Sequence, residues 1–478
     1  MNDLTRKKRI VNMTQGSITG GLISYAIPII LSDFLQQLYS TVDSVIVGKF
    51  VGKIALAAVG QTFFIVNMFL GFFLGVSLGV TVAISKYFGA RNKDGLSNAL
   101  DSGLKLSFIL SIAFSVIGYF AVPFFLKLVG TTEDAYADAN TYLRIYLGGI
   151  CAQLMYNMLS GILKAIGDSR RPLYVLALTA GLNIVLDLLF VAVFKMGVAG
   201  AAWATVISQA LSCIILWIMM EKTDEFPKPI LRKQPIRMND VKAIMYVGLP
   251  YSVQRTVIAF SNTIVVSFVN AFGSDYMAGW SIYQKIDQFV ISSILSISAA
   301  ITTFVAQNVG AQKPERIKQG VRVGLIVTFI VSAFYAAVIY LFRYQIAGMF
   351  TDEKVVIEIA CMYIFMLATV HIVNAITQAI AGALRGLGDS ITPTIALIGC
   401  YVVIRQIYLH LRWPSFHQPT IVVAAYHFTW VIAAVTMTAL YIVSINRYCR
   451  NISAVDKKQR GGIMIGLNSN NKGVDKNA

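Results

Sequence analysis

The chain has 478 residues, of which 56% are hydrophobic and only 13% charged. An average soluble protein carries roughly 25% charged residues, so a soluble globule of this size is excluded, and a mean hydropathy of +0.68 agrees. Forty Lys and Arg against 23 Asp and Glu give a formal charge of +17, which in a membrane protein reflects cationic cytoplasmic loops rather than a nucleic-acid partner.

The chain opens MNDLTRKKRIVNMTQGSITGG, basic and then polar. It lacks the short apolar core and small-residue cleavage site of a secretory signal. A spanning helix needs about 20 mostly apolar residues. Such runs fall near 18–46, 55–84, 97–121, 136–165, 172–194 and 197–220, and again near 243–270, 276–305, 320–342, 355–384, 391–411 and 419–445. Turn residues or charges break them, as in FGARNKDG, GDSRRP and GAQKPERIK. A basic stretch, 222–242, reads as the linker between two halves, 17–221 and 243–446. Residues 1–16 read as an N-terminal cytoplasmic segment, and 447–478 as a polar, disordered tail.

Most Lys and Arg outside the spans fall on one side: the N-terminus, the loops after even-numbered spans, and the tail. The positive-inside rule places that side, with both termini, in the cytoplasm of a cell that holds this multi-pass chain in its plasma membrane. The five cysteines form no CxxC pair and the four histidines no HxxH or HExxH pair. Neither a disulfide framework nor a zinc site is expected, and the histidines read as structural.

The chain resembles itself at an offset of about 221 residues. SGILKAIGDSRRP (160–172) matches AGALRGLGDSITP (381–393), and FGARNKD matches VGAQKPE with Gly89 opposite Gly310. AIPIILSDFLQQLYST matches GLPYSVQRTVIAFSNT, which pairs Pro28 with Pro250. Each half carries six spans, so both insert with the same orientation, related by an axis along the membrane normal. The expected fold is all-α integral membrane, twelve helices in two six-helix lobes. Repeats of this kind are typical of secondary transporters, in which two bundles rock about a site between them.

An ionisable group inside a span is costly and is a functional candidate by default. Asp43 lies late in span 1. Asn183 and Asp187 lie at i and i+4 in span 5, on one helix face, and Thr205 lies in span 6. Together they supply only oxygen ligands, as a hard cation such as Na⁺ requires. Alternatively, two carboxylates in a low-dielectric cavity repel until one takes a proton. Hydrogen bonding to neighbouring helices is the plainer use of the same groups. Pro28 removes a helical hydrogen bond and permits a kink in span 1. Asp33 and Tyr39 lie between it and Asp43 as cavity candidates. The second half is no ionic copy: it carries Arg255, Lys285, Asp287 and Arg405. Lys285 or Arg405 is expected to neutralise Asp287, which leaves ion coupling to the first half.

At this point the chain resembles multidrug and toxic compound extrusion (MATE) transporters, most like the prokaryotic DinF-type branch, over about residues 15–446. The motifs that carry the likeness include AIPIILSDFLQQLYSTVDSVIVGKFVGKIALAAVG, SKYFGARNKD, NIVLDLLF, GVAGAAWATVISQ, TTFVAQNVGAQ and ALRGLGDSITP. The resemblance implies two lobes around a V-shaped cavity and export of organic cations or other amphipathic compounds, driven by Na⁺ or H⁺. It implies that Asp43 is the first-helix aspartate, with Pro28 at its bend, and that Asn183, Asp187 and Thr205 form the first-lobe cation site. Ser160 departs from the pattern, since many relatives have Asn there.

The expected function is therefore an ion-coupled exporter and not an enzyme. It needs no tightly bound cofactor beyond the coupling ion. Its partners are small amphipathic molecules and membrane lipids, with no nucleic acid and no obligate protein partner. The alternative is a flippase or exporter of a lipid-linked or anionic metabolite, favoured by Arg255, Lys285 and Arg405. An intramembrane prenyl transferase needs a second acidic cluster that the sequence lacks, and no filter-like loop suggests a channel.

Overall fold

The computed structural model describes residues 10–222, 236–415 and 418–470, with the side chains of Phe64 and of 454–470 excepted. The central part of the 222–242 linker, residues 1–9 and the last eight residues lie outside that set. The described chain is helical, with no strands.

All twelve expected spans are helices. The first six are Ile18–Phe50, Lys53–Gly89, Lys93–Val129, Glu133–Ala165, Arg170–Asp187 continued by a π-helical turn Leu188–Val193, and Val198–Glu221. The second six begin with Met238–Asn270, Ser274–Gly310 and Pro314–Leu341. Span 10 is Lys354–Ala368 plus Val370–Leu387, bent by 48° at the break. Span 11 is Ile391–Ile398, a π-turn Gly399–Ile404, and Arg405–Arg412; span 12 is Thr420–Asn470. Ten of these are long and apolar enough to cross a bilayer, and the bent pair makes an eleventh. Span 4 carries Gln153, Asn157 and Ser160 in its apolar run and falls short of that measure. Large apolar side chains such as Phe108, Phe120, Phe334 and Val435 face outward, as a lipid-facing surface requires.

The tail departs from expectation. Span 12 does not end near 446 but continues to Asn470. Just past 446, Tyr448 and Cys449 pack against the apolar cluster that Ile445 shares with span 8, and the Tyr448 hydroxyl donates to the Val309 carbonyl at 3.3 Å. Span 1 also runs unbroken across Pro28. The Ser32 hydroxyl donates to the Pro28 carbonyl at 2.8 Å.

Each lobe has its own apolar core, and a third cluster lies on the seam. The seam forms because span 1 leans onto spans 8 and 9 while span 7 leans onto spans 2 and 3. Glycines make this close approach available. A Cβ on Gly75 would lie 2.6 Å from the Gly248 carbonyl, and one on Gly79 2.2 Å from the Ile244 carbonyl. The repeat partners Gly89 and Gly310 are reciprocal. A Cβ on Gly89 would lie 1.9 Å from the Gln307 carbonyl, and one on Gly310 1.9 Å from the Lys86 carbonyl. The sequence repeat is thus a physical pseudo-two-fold contact between lobes.

The other repeated motif, Gly-Asp-Ser, is a capping turn. Gly167 and Gly388 adopt φ of +97° and +98°, which glycine tolerates without strain. Asp168 Oδ1 then accepts from the Arg170 and Arg171 amides, and Asp389 Oδ1 from the Thr392 amide at 3.0 Å.

The basic end of the seam is tied further. Gln307 Nε2 donates to the Ala165 carbonyl at 2.9 Å, and Lys86 Nζ to the Leu387 carbonyl at 3.2 Å. The N-terminal strand of chain crosses this junction. The Val11 amide donates to the Gly167 carbonyl at 3.1 Å on one lobe. On the other, the Met13 amide donates to Gln307 Oε1, Lys313 to the Thr14 carbonyl, and Arg316 to the Met13, Gln15 and Gly16 carbonyls. These cross-lobe bonds all lie in the halves of the spans nearest the basic end.

Gly310→Val is expected to wedge this contact open. Overpacking of this kind costs about 1–3 kcal/mol, read as a lowered thermal midpoint of the purified protein, with Gly60→Val, which meets nothing within 4 Å, as the neutral control.

Candidate functional site

The N-lobe collects most of the polar groups read from sequence. Asp43, Asn183, Asp187 and Thr205 are all buried, at 8%, 2%, 0% and 7% exposure. Asp187 and Asp43 act on each other electrostatically. Tyr39 and Tyr142 feel both charges. Asp187 is the last residue before the π-turn of span 5, where the helical ladder is already irregular. Such turns are frequent at functional sites.

The donor balance in this cluster is unusual. Both carboxylate oxygens of Asp187, one of Asp43, and both amide atoms of Asn183 are buried without a protein hydrogen-bond partner. Buried polar groups are ordinarily satisfied, so these oxygens are poised for a cation, a proton or water. The Thr205 hydroxyl donates to the Ala201 carbonyl at 3.1 Å, which leaves its lone pairs free to accept a positive charge. Oxygen donors of this kind are what a hard cation takes, and paired carboxylates are what a shared proton takes. Among the described residues no group of three or more His, Cys, Asp or Glu gathers into a metal centre.

Sequence reasoning missed the frame around these carboxylates. Gln209 Nε2 donates to the Tyr39 hydroxyl at 3.3 Å. The Tyr142 and Tyr146 rings stack at 5.9 Å, and the Tyr146 hydroxyl donates to Gln153. The signal was present: Thr205 and Gln209 are i, i+4, as are Tyr142 and Tyr146.

Asp33 does not join this cluster. It accepts a hydrogen bond from Ser296 of span 8 and interacts electrostatically with Lys164, so it ties span 1 to the other lobe. Beside it the Phe34 and Phe289 rings meet across the seam at 5.3 Å, and the Tyr25 hydroxyl donates to the Lys164 carbonyl at 2.7 Å. Ser160 is buried on span 4. Its neighbour Gly161 accepts from Thr81 of span 2 at 3.2 Å.

The C-lobe corrects one expectation. Neither Lys285 nor Arg405 pairs with Asp287. Arg405 is buried and donates to Ser261 Oγ and Asn262 Oδ1 at 3.0 and 2.8 Å, with its guanidinium 4.9 Å from the Tyr426 ring. Lys285 is exposed and lies 5.5 Å from the Phe350 ring. Span 7 supplies hydroxyl and amide acceptors to one terminal nitrogen of Arg405, which holds its charge away from Asp287. Asp287 instead meets His371, whose Nε2 is 3.0 Å from its Oδ1. Arg255 is half-buried on span 7, near Gly71 of span 2, and feels the charge of Arg385.

The MatE family profile matches residues 28–189 and 250–409, one segment in each lobe. The chain belongs to the MatE family. It is 27% identical over 402 residues to "Probable multidrug resistance protein YoeA" of Bacillus subtilis strain 168, covering 83% of this chain and 86% of that one. It is 28% identical over 388 residues to "Probable multidrug resistance protein NorM" of Thermotoga maritima, covering 78% and 81%. A solved structure described as the outward-facing conformation of a multidrug resistance MATE family transporter superposes with a TM-score of 0.84 at 25% identity, covering 94% of this chain and 99% of that one. This MatE chain is thus a multi-pass membrane protein whose relatives are transporters, with twelve transmembrane helices in two lobes.

Arg405→Met is expected to destabilise this MatE protein. It strands the Asn262 oxygen and removes the contact over Tyr426. One buried unsatisfied group costs about 1–3 kcal/mol, measured as a drop in thermal midpoint that Lys285→Met does not produce.

Proposed function

We propose that the chain is a secondary active antiporter that exports amphipathic or cationic compounds in exchange for Na⁺ or H⁺. The carrying observation is the buried Asp43–Asp187 pair, three of whose carboxylate oxygens lack a protein donor, with Asn183 one turn before Asp187 and Thr205 buried in the same lobe. Two charges in one low-dielectric lobe are held only if a cation or proton neutralises them. Binding of that ion changes the charge that span 1 carries at Asp43. Span 1 also ties the lobes together through Asp33 and Tyr25, so ion binding and lobe contact act on one helix. An ion that binds one arrangement better shifts the balance toward it.

In this reading the basic end is cytoplasmic and carries both termini. The lobes are tied at that end, which favours opening from the opposite end. Tyr39, Tyr142 and Asp43 offer aromatic faces and negative charge to an organic cation. Pro28 sits between the tied part of span 1 and Asp43, where one missing helical hydrogen bond eases bending. The printed names of YoeA and NorM, each a multidrug resistance protein, support the same substrate class.

A second reading, export of an anionic or lipid-linked metabolite, draws on the C-lobe cations. Arg405 is engaged by Ser261 and Asn262, and Lys285 lies over Phe350. This reading therefore rests on Arg255 alone.

Ethidium flux in proteoliposomes, with Na⁺ and H⁺ gradients imposed separately, tests the proposal. One gradient is expected to drive flux, and Asp187→Asn is expected to reduce it to the rate of empty vesicles. Undiminished flux in Asp187→Asn would refute the assignment. In the absence of substrate and gradient, Asp187→Asn is also expected to raise the thermal midpoint, because an amide is less costly to bury than an uncompensated carboxylate.

A further inference from the structure

The chain ahead of span 1 is held by both lobes within two residues. On the N-lobe side the Val11 amide donates to the Gly167 carbonyl at 3.1 Å, and Ile10 packs against the N-lobe core. A Cβ on Gly167 would lie 2.2 Å from the Val11 carbonyl, so glycine at this capping turn is what lets the strap lie down. On the C-lobe side Met13 is gripped by side chain and backbone alike. Its side chain is buried in the seam cluster at 1% exposure. Its amide donates to Gln307 Oε1 at 3.1 Å, and its carbonyl accepts from Asn308 Nδ2 at 3.1 Å and Arg316 Nε at 3.0 Å. Lys313 donates to the Thr14 carbonyl at 2.8 Å, and Arg316 to the Gln15 and Gly16 carbonyls at 2.8 and 3.0 Å.

This strap is too short to stretch. An extended chain spans at most about 3.6 Å per residue, so Val11 and Met13 stay within about 7 Å of each other whatever the lobes do. Asn12 adds stiffness: its Oδ1 accepts from the Thr14 amide at 2.9 Å and from the Thr14 hydroxyl at 2.7 Å. The lobes therefore cannot separate at the basic end while both anchors hold. The anchors are unequal. Among the described residues the N-lobe grips the strap's backbone through the Val11 amide, and the C-lobe through six bonds to four side chains. The weaker anchor, at Gly167, is the one that gives way first.

We propose that residues 10–16 are a latch across the lobes, and that Val11 has to leave Gly167 before the basic end can open. The Gly-Asp-Ser turn after span 4 is thereby the catch of this latch as well as a helix cap. The direct ties from Gln307 to Ala165 and from Lys86 to Leu387 do not involve the strap, so losing the latch loosens this end without opening it outright. That the end opens during transport rests on the exporter reading; the latch itself rests on the contacts above.

Double electron–electron resonance reads the lobe separation directly. Nitroxides are placed on Asp94→Cys at the start of span 3 and on Gln319→Cys near the start of span 9. Both positions are exposed, at the basic end and on opposite lobes. The full chain is used, with its five native cysteines changed to alanine. One main distance is expected. Removal of residues 2–11 takes Val11 off Gly167 and leaves Met13 in place. It is expected to raise the share of a longer distance about fivefold, the shift that losing one net hydrogen bond gives an equilibrium. Lys313→Met combined with Arg316→Met weakens the other anchor and is expected to act in the same direction. Lys318→Met, on the same helix but paired with Glu315, is the control and is expected to leave the distances unchanged. Unchanged distances in the truncated chain overturn the proposal. Where that chain does not fold, unchanged distances in the Lys313 and Arg316 double variant overturn it. An equal shift in Lys318→Met also overturns it, because the loosening would then not depend on the strap. Gradient-driven ethidium flux with unmoved distances sinks the latch and leaves the exporter reading; shifted distances without flux in the native protein do the reverse.

Discussion

Asp43 and Asp187 put two carboxyl groups into one buried lobe, with too few protein donors to balance two negative charges. In water such a pair costs little, but at low dielectric it is held only with help from a bound cation or proton. Much else in the N-lobe follows from that constraint. Asn183 keeps both amide atoms uncommitted beside Asp187. Thr205 spends its proton on its own helix and leaves its lone pairs free. Tyr39, Tyr142 and Gln209 wall the charges in without neutralising them.

The second constraint is that two bundles have to meet closely without fusing. Small residues let helix backbones approach in a membrane, where burial of apolar surface gives no driving force between helices. Gly75, Gly79, Gly89, Gly248 and Gly310 provide this approach. Polar ties then gather at one end, through Lys86, Gln307, Arg316 and the chain around Met13. A seam closed at one end by hydrogen bonds, and held elsewhere by small residues and rings, is suited to opening from the other end. Span 1 joins the two constraints, since it carries Asp43 into the N-lobe while Asp33 and Tyr25 reach the C-lobe.

The two lobes share a backbone plan and diverge in charge. Spans 5 and 11 each contain a π-turn, Leu188–Val193 and Gly399–Ile404. Asp187 precedes the first and Arg405 follows the second. The acidic lobe leaves its carboxylates without donors. The C-lobe holds one guanidinium nitrogen of its arginine with Ser261 and Asn262 and sets its aspartate beside a histidine. The repeat thus shares a geometry, and the side chains give each half different chemistry.

Span count, the internal repeat and the N-lobe residues were legible in the sequence because they depend on local pattern. Twenty apolar residues read as a span wherever they sit, and Asn183 and Asp187 share a face by helical period alone. The repeat match pairs Gly89 with Gly310, and the structure sets both at the contact between lobes. What the tertiary structure alone decided is pairing across distance. Asp287 sits two residues from Lys285 in the chain, yet it meets His371, because span 10 breaks beside that ring and brings it to span 8. Arg405 was expected to reach Asp287, but span 7 holds it. The tail read as solvated from its polarity, while Tyr448 and Cys449, just past the expected end of span 12, pack at the seam. Local periodicity states which face a residue occupies; only the packing of helices states what that face meets.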